Sequence, residues 1–145
     1  MHRTAHAVEI ERPARDIFPY LVEGDRRQAW MSALLDAKQL TDGPVATGAR
    51  FRDVFEDHGQ RVEIAAEVVR YEPPRLLVVA LASDVFRATS TSELEERDGR
   101  TRLDVTIDTE FTRRRMRLIA GVVTRHAQAR LERDLAALKE LMERS

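Results

Sequence analysis

The chain contains no cysteine among its 145 residues. Disulfide frameworks, thiol nucleophiles and cysteine-based zinc sites are therefore excluded. No apolar run reaches the roughly 18 residues that a membrane-spanning helix needs, and no apolar segment typical of a secretory signal precedes the first predicted strand. We therefore expect a cytoplasmic protein without an integral membrane segment.

The chain also lacks an excess of charge of either sign. It has 24 basic and 25 acidic residues, which gives a formal net charge of -1. No global field would attract nucleic acid, so we predict no nucleic-acid partner. The 4 histidines form no pair on a predicted helix with a spacing typical of metal ligands, and we predict neither a metal nor another cofactor. The length is that of a single domain, residues 1–145, which is long enough to bury a core unaided.

The sequence does contain an informative order of elements. A strand with Val8 and Ile10 on one side comes first, and two short helices follow, the second at about Arg26 to Met31. Alternating apolar and polar residues then predict strands from about Leu34 to Phe111. One amphipathic helix, about Arg113 to Glu143, closes the chain. This order predicts an α+β fold in which a curved antiparallel sheet of about seven strands wraps around the long last helix.

Three turn motifs set the register of the strands: His58-Gly59, Ser83-Asp84 and Asp98-Gly99. The last turn places Leu94 opposite Leu103, and the Ser83-Asp84 turn places Leu81 opposite Phe86. Cross-strand partners share a face of the sheet, so the three turns together predict one apolar face. Its members are Phe51, Asp53, Phe55, Val62, Ile64, Ala66, Val68, Leu77, Val79, Leu81, Phe86, Ala88, Ser90, Ser92, Leu94, Leu103, Val105, Ile107, Thr109 and Phe111.

A series of short motifs carries a resemblance to a known superfamily. The motifs are Ile10-Glu11-Arg12-Pro13-Ala14, Phe18, Trp30 with Leu34, Gly43-Pro44, Gly48-Ala49-Arg50, Tyr71-Glu72-Pro73-Pro74, Gly99-Arg100-Thr101-Arg102-Leu103 and Asp134-Leu135 through Leu138-Lys139. In their order and spacing the chain resembles the SRPBCC superfamily, the helix-grip fold of birch-pollen-type allergens, START lipid-transfer domains and bacterial polyketide cyclases. It is most similar to the bacterial polyketide cyclase/dehydrase group. The resemblance implies a cavity between sheet and helix for a hydrophobic or aromatic ligand, and it implies no shared catalytic residue.

Asp53 is the sharpest candidate for a catalytic residue, because it lies between Phe51 and Phe55 on the predicted inner face. A buried carboxylate without a partner costs on the order of several kcal/mol of folding free energy. Asp53 is therefore expected either to serve a ligand, as a general acid or base or as an anchor, or to pair with a nearby arginine.

The predicted ligand-binding residues face the space between the sheet and the last helix. Small side chains there, such as Ala120 and Ala127, leave room for a pocket of roughly a few hundred Å³. Hydroxyls on the same face, those of Ser90, Ser92 and Thr109, either orient a ligand or bond one another or ordered water, and Trp30 either walls the pocket or plugs the core. The predicted lining is Trp30, Phe51, Phe55, Ile64, Ala66, Val79, Phe86, Ala88, Ser90, Ser92, Ile107, Thr109, Met116, Ala120, Val123 and Ala127.

Arginines occupy four of the five positions from Arg113 to Arg117. Cations at the start of a helix oppose its dipole, so helix stability does not explain this cluster. The arginines either contact an anionic ligand group or anionic lipid, or they form a solvated cluster balanced by Asp108 and Glu110.

The sequence thus predicts a protein that binds a small hydrophobic molecule, aromatic or polycyclic. Such a protein either acts on its ligand in the manner of a polyketide cyclase or aromatase, by positioning and acid-base groups, or carries it without chemistry. A protein-interaction module of the same fold, with a filled core and an exposed apolar patch, is the third alternative. A homodimer is compatible with all three.

Overall fold

A computed structural model describes residues 1–144 of the chain. The elements in chain order are β1 (His2–Ile10), α1 (Ala14–Val22), α2 (Gly24–Gln28), β2 (Leu34–Gln39), β3 (Arg50–Asp57), β4 (Gln60–Glu72), β5 (Leu76–Ala82), β6 (Phe86–Arg97), β7 (Arg100–Phe111), α3 (Arg114–Leu118) and α4 (Ala120–Arg144). None of the helices in this range is long and apolar enough to cross a membrane.

The seven strands form one antiparallel sheet in the order β1-β7-β6-β5-β4-β3-β2. The first strand therefore joins the sheet beside the last, and β1 and β2 are its two edges. With two short helices after β1 and a long helix at the end, this is the α+β helix-grip architecture that the sequence predicted.

Two helix boundaries differ from the prediction. The single helix expected from Arg113 is divided, because Ile119 has φ -110° and ψ 13° between α3 and α4. A β-branched residue and the nearby Gly121 both disfavour continuous helix at this point. The second short helix is Gly24–Gln28 rather than Arg26 to Met31, since Asp25 in its first turn favours an earlier start.

The register confirms two of the three predicted turns. His58, Gly59, Asp98 and Gly99 all have positive φ, as the two central residues of a type I′ hairpin turn require. These turns pair residues 50–57 with 60–67 and residues 86–97 with 100–111, as predicted.

The predicted register between β5 and β6 was wrong by two residues. Leu81 pairs with Ala88 and not with Phe86, because the turn is centred one residue later. The Ser83 N–H donates to the Phe86 carbonyl at 3.0 Å, and the Ser83 hydroxyl accepts from the Val85 N–H at 3.2 Å. A slip of two residues keeps every side chain on its predicted face, whereas a slip of one would have inverted them.

The packed core fills one end of the concave face. Leu94 and Leu103 meet there across β6 and β7, and Leu135 and Leu138 reach them from the second half of α4. The helix buries this stripe because its leucines recur every three or four residues. Burial of each such side chain contributes about 1.5–3 kcal/mol to folding.

Helix α4 also covers the free edge of β1 with side-chain hydrogen bonds. The Gln128 carboxamide accepts from the Ala5 N–H at 3.1 Å and donates to the Ala5 carbonyl at 2.8 Å. Farther along, Lys139 Nζ donates to the Glu9 carbonyl at 2.6 Å. An edge strand presents unpaired backbone groups, and here helix side chains satisfy them.

Two further contacts hold α4 on its other side. Asp134, which is 6% exposed, accepts from both the N–H and the hydroxyl of Ser32 at 3.2 and 2.8 Å. Arg130 pairs with Asp57, at the end of β3, at 3.2 Å. The helix is thereby fixed across the opening of the sheet.

Asp134→Ala should lower the free energy of unfolding by about 1–3 kcal/mol, because the Ser32 N–H loses its acceptor in a buried place. Asp134→Asn keeps an acceptor of the same shape and should lose less. Urea denaturation of both variants and the parent measures the difference. Equal stability of the two variants would show that these hydrogen bonds do not fix the helix.

Candidate functional site

The candidate site is the part of the concave sheet face that the packed core leaves open. Phe55, Ile64 and Phe86 point to this face, are only half-buried, and do not belong to the core cluster. The first turns of α4 place Ala120, buried, and Val123, half-buried, on the helix stripe that faces the sheet. The apolar face of the sheet is therefore continuous, but the packed core covers only part of it.

An open hollow of about 580 Å³ lies where α3 meets the turn between β5 and β6. Its volume is in the usual range of small-molecule sites, about 300–1,000 Å³. Of the residues predicted to line a pocket, Met116 contributes here. The full lining is Asp84, Val85, Arg113, Arg115, Met116 and Ile119.

The other predicted lining residues differ in burial. Phe51 and Ala66 belong to the packed core, Val79 and Ile107 pack against it, and Ala88 is buried. Ala127 is exposed although it shares the stripe of Ala120 and Leu131.

Trp30 lies in the packed core with 9% of its surface exposed, and its indole N–H donates to the Tyr20 carbonyl at 2.9 Å. This placement matches the alternative in which Trp30 plugs the core between the short helices and the sheet.

Hydroxyl groups supply the polar part of the concave face. Ser92 is buried, and Ser90 and Thr109 are half-buried. Within residues 1–144 none of these three hydroxyls forms a hydrogen bond with another protein group. The alternative in which they bond one another is therefore not what the structure has, and all three keep their hydrogen-bonding capacity.

Thr124 on α4 was missed by the sequence analysis. Its side-chain oxygen is shielded from solvent and has no hydrogen-bond partner among the described residues. The position could have been found, because Thr124 follows Ala120 by four residues on the inner stripe. A shielded hydroxyl without a partner costs about 1–3 kcal/mol, so a ligand atom that bonds it recovers free energy.

His6 on β1 is a second residue that the sequence analysis passed over. It pairs with Val105 of β7, whose other neighbour is Ser92, so its imidazole shares the concave face. The ring is half-buried, with no ion pair or side-chain hydrogen bond in the described chain. The alternation that placed Val8 and Ile10 on the inner side would have placed His6 there too.

Asp53 faces inward, opposite Ile64 as predicted, and is paired with Arg27. Both of its oxygens accept from the guanidinium at 2.9 Å, and the two side chains are only 4% and 12% exposed. The guanidinium also lies 5.3 Å from the centre of the Phe51 ring. The sequence analysis had left a nearby arginine open as the partner of Asp53, but it had not identified Arg27 on the short charged helix α2.

No cluster of three or more metal-ligating side chains occurs in residues 1–144. The rings of His58 and His126 lie edge to face with centroids 5.4 Å apart. This contact joins α4 to the turn between β3 and β4, outside the hollow.

Arg27→Met should lower the free energy of unfolding by about 3–5 kcal/mol, because it leaves Asp53 as a buried charge without a partner. The double variant Arg27→Met/Asp53→Leu removes both charges and should regain most of this loss. Arg26→Met is the matched control, since its pair with Glu23 at 3.4 Å is about half exposed and contributes about 0–1 kcal/mol. A double variant no more stable than Arg27→Met would contradict this account in a denaturation experiment.

Comparison with known proteins agrees with this architecture. The family model described as polyketide cyclase / dehydrase and lipid transport matches residues 1–143. A START superfamily protein from Mycobacterium smegmatis superposes with a TM-score of 0.83 at 18% identity, over 99% of each chain. No curated protein is similar in sequence.

More distant structures share the same fold. A protein from Thermus thermophilus gives a TM-score of 0.78 at 16% identity and covers 96% of this chain and 95% of its own. Ara h 8.0201 gives 0.72 at 10% identity over 99% of both chains. The resemblance to the SRPBCC superfamily is thus confirmed, and the chain belongs to the polyketide cyclase / dehydrase and lipid transport family.

Proposed function

We propose that this protein binds a small hydrophobic molecule, aromatic or polycyclic, between the concave sheet face and the first half of α4. The observation that carries the proposal is the set of half-buried apolar side chains there, Phe55, Ile64 and Phe86, which the packed core does not cover. Large apolar side chains left uncovered in a concave surface are typical of a ligand site.

The polar groups define the ligand further. The hydroxyls of Ser90, Ser92, Thr109 and Thr124 have no protein partners in residues 1–144, and none of them is charged. They suit a ligand with one or two neutral polar atoms, such as a phenol, a ketone or an alcohol, on an otherwise apolar skeleton. Apolar contact stabilises the complex by about 25 cal/mol per Å², and the hydroxyls select its orientation.

Binding without chemistry is the function that the geometry supports best. Asp53 is the only buried carboxylate among the strands of residues 1–144, and Arg27 holds both of its oxygens. A carboxylate engaged in this way is committed to structure rather than to proton transfer. A carrier of a hydrophobic ligand needs no such group.

A cyclase-like enzyme is a second candidate, and His6 favours it. An unpaired imidazole on the concave face can serve as a general acid or base toward a bound ligand. Arg27 donates two of its five N–H groups to Asp53, which leaves donors that could polarise a ligand carbonyl. This candidate requires the ligand to reach both β1 and β3.

Ser90→Phe tests the binding site, because the new ring would occupy the concave face between Val79 and Ile107, the cross-strand neighbours of Ser90. We expect a folded protein that has lost at least about tenfold in affinity for the neutral fluorescent probe N-phenyl-1-naphthylamine, in keeping with the contact area removed. Thr89→Phe is the matched control, since Thr89 is exposed on the opposite face of β6 and its variant should bind as the parent does. If Ser90→Phe unfolds while Thr89→Phe does not, the region is packed core and the interaction-module alternative gains support.

His6 gives a direct test of the second candidate. Its imidazole resonances should shift when the protein is saturated with the same probe, because the ring shares the face that the probe contacts. His58, in an exposed turn, is the internal control and should not shift. Unchanged His6 resonances in a protein with bound probe would remove His6 as an acid-base group and leave the carrier function.

A further inference from the structure

The surface around the mouth of the hollow exposes aliphatic side chains to solvent. Leu118 is 82% exposed, Ile119 49% and Val122 48%. They lie together where α3 ends and α4 begins, and we call them the apolar tip. Single exposed aliphatic residues are ordinary on protein surfaces, but a group of them beside a pocket is typical of an interaction site.

Five arginines flank the apolar tip: Arg113, Arg114, Arg115, Arg117 and Arg125, all exposed. Arg113 donates to the Asp84 carbonyl at 3.0 Å and Arg117 to the Phe111 carbonyl at 3.2 Å. None of the five forms an ion pair with a carboxylate of residues 1–144. We call these residues the arginine cluster.

The acidic residues expected to balance the cluster do not do so. Arg3 donates to Asp108 at 2.7 Å, and this hydrogen bond lowers the pKa of the Asp108 carboxyl below its usual value. Glu110 is exposed and forms no ion pair with these arginines within residues 1–144. The arginine cluster therefore keeps its positive charge.

Charged and apolar residues are neighbours within each of the two helical segments. Arg114 and Leu118 are four residues apart in α3, and Val122 and Arg125 are three residues apart in α4, so the members of each pair lie on one face of their own helix. A helix with cations around an aliphatic stripe is typical of segments that lie in a membrane interface.

We propose that the apolar tip and the arginine cluster dock this protein onto an anionic lipid bilayer. Arginine guanidinium groups bind lipid phosphates in a fork geometry, and basic segments are attracted to anionic leaflets. Leu118 and Ile119 enter the boundary between headgroups and acyl chains. A soluble anionic ligand would account for the arginines, but it would leave an 82% exposed leucine unexplained.

Docking in this orientation places the hollow against the membrane. Arg113, Arg115, Met116 and Ile119 belong both to its lining and to the docking surface or its margin. A hydrophobic molecule could then pass between bilayer and hollow without crossing water. Docking to the membrane does not depend on the proposed ligand, so membrane docking and ligand binding are tested separately.

Co-sedimentation with vesicles tests the proposal. The protein should bind vesicles of phosphatidylcholine with about one third phosphatidylglycerol, should not bind phosphatidylcholine alone, and should dissociate as salt screens the charges. Arg114→Gln and Arg125→Gln should each weaken binding about fivefold, and Leu118→Ser about tenfold. Matched controls are Arg97→Gln, with 84% of its side chain exposed, and Leu40→Ser, with 54% of Leu40 exposed. Both controls should bind as the parent does.

Three results would overturn the proposal. They are absence of binding to the anionic vesicles, equal binding to neutral vesicles, and equal weakening by the control variants. A soluble anionic amphiphile below its micellar concentration supplies a further arm. If the arginine variants weaken its binding and Leu118→Ser changes neither that binding nor sedimentation, the arginines serve a ligand and the docking proposal fails. Leu118→Ser should still bind the neutral probe, which separates failure of docking from failure of the proposed ligand site on the concave sheet face.

Discussion

The structure depends on a mismatch between the area of an apolar sheet face and the helix available to cover it. Seven strands at about 4.8 Å spacing make a face roughly 29 Å wide, whereas a helix with its side chains is about 10–12 Å across. Gln128 contacts Ala5 and Lys139 contacts Glu9, so α4 runs alongside β1 in the same direction. Although Arg130 also ties α4 to Asp57 of β3, one helix is too narrow to cover such a face, even when the sheet curves toward it.

The two halves of α4 resolve this mismatch in different ways. The second half carries leucines, which fill the space at one end and provide much of the apolar burial that stabilises the fold. The inner stripe of the first half carries Ala120, which is buried, and Ala127, which is exposed, and neither side chain is long enough to fill the space over the sheet. The second half of α4 thereby contributes to the stability of the fold, and the first half leaves the concave sheet face open. The contacts of Gln128 to Ala5 and of Arg130 to Asp57 keep the first half in place without filling the space beneath it.

The fold could be predicted from the sequence where local chemistry decides the geometry. His58-Gly59 and Asp98-Gly99 can adopt the positive φ values of a type I′ turn at low cost, and each fixes a whole hairpin. Ser83-Asp84 looked equivalent, but a serine hydroxyl bonded to the Val85 N–H moved the turn along. This error in register did not change which side chains lie on each face of the sheet, because a shift of two residues preserves the alternation of side chains along a strand.

The site was less predictable because its partners are distant in sequence. Asp53 could be placed inward from its own strand, but its pairing with Arg27 depends on how α2 packs against the sheet. No periodicity encodes that packing. His6 is different: its strand parity was available, and the residue was overlooked because it stood alone. Thr124 could be predicted only in part. The helical spacing places it on the inner stripe of α4, but only the structure shows that its hydroxyl has no hydrogen-bond partner among the described residues.

The distribution of charge bears on how the proposed site would select an apolar ligand. The buried ion pair on the concave wall, Asp53 with Arg27, is internally balanced, so it offers little attraction to a charged molecule. The hydroxyls of Ser90, Ser92 and Thr109, on β6 and β7 of the same sheet, are neutral, and they are left unpaired when a purely apolar ligand binds. Discrimination by an apolar wall alone is about 1–3 kcal/mol per methylene group, and sites that hydrogen-bond a ligand atom discriminate more strongly. In the proposed site, the hydroxyls of Ser90, Ser92 and Thr124 are therefore the groups that would distinguish ligands of similar shape, whereas the hollow beside α3 is lined by Arg113 and Arg115.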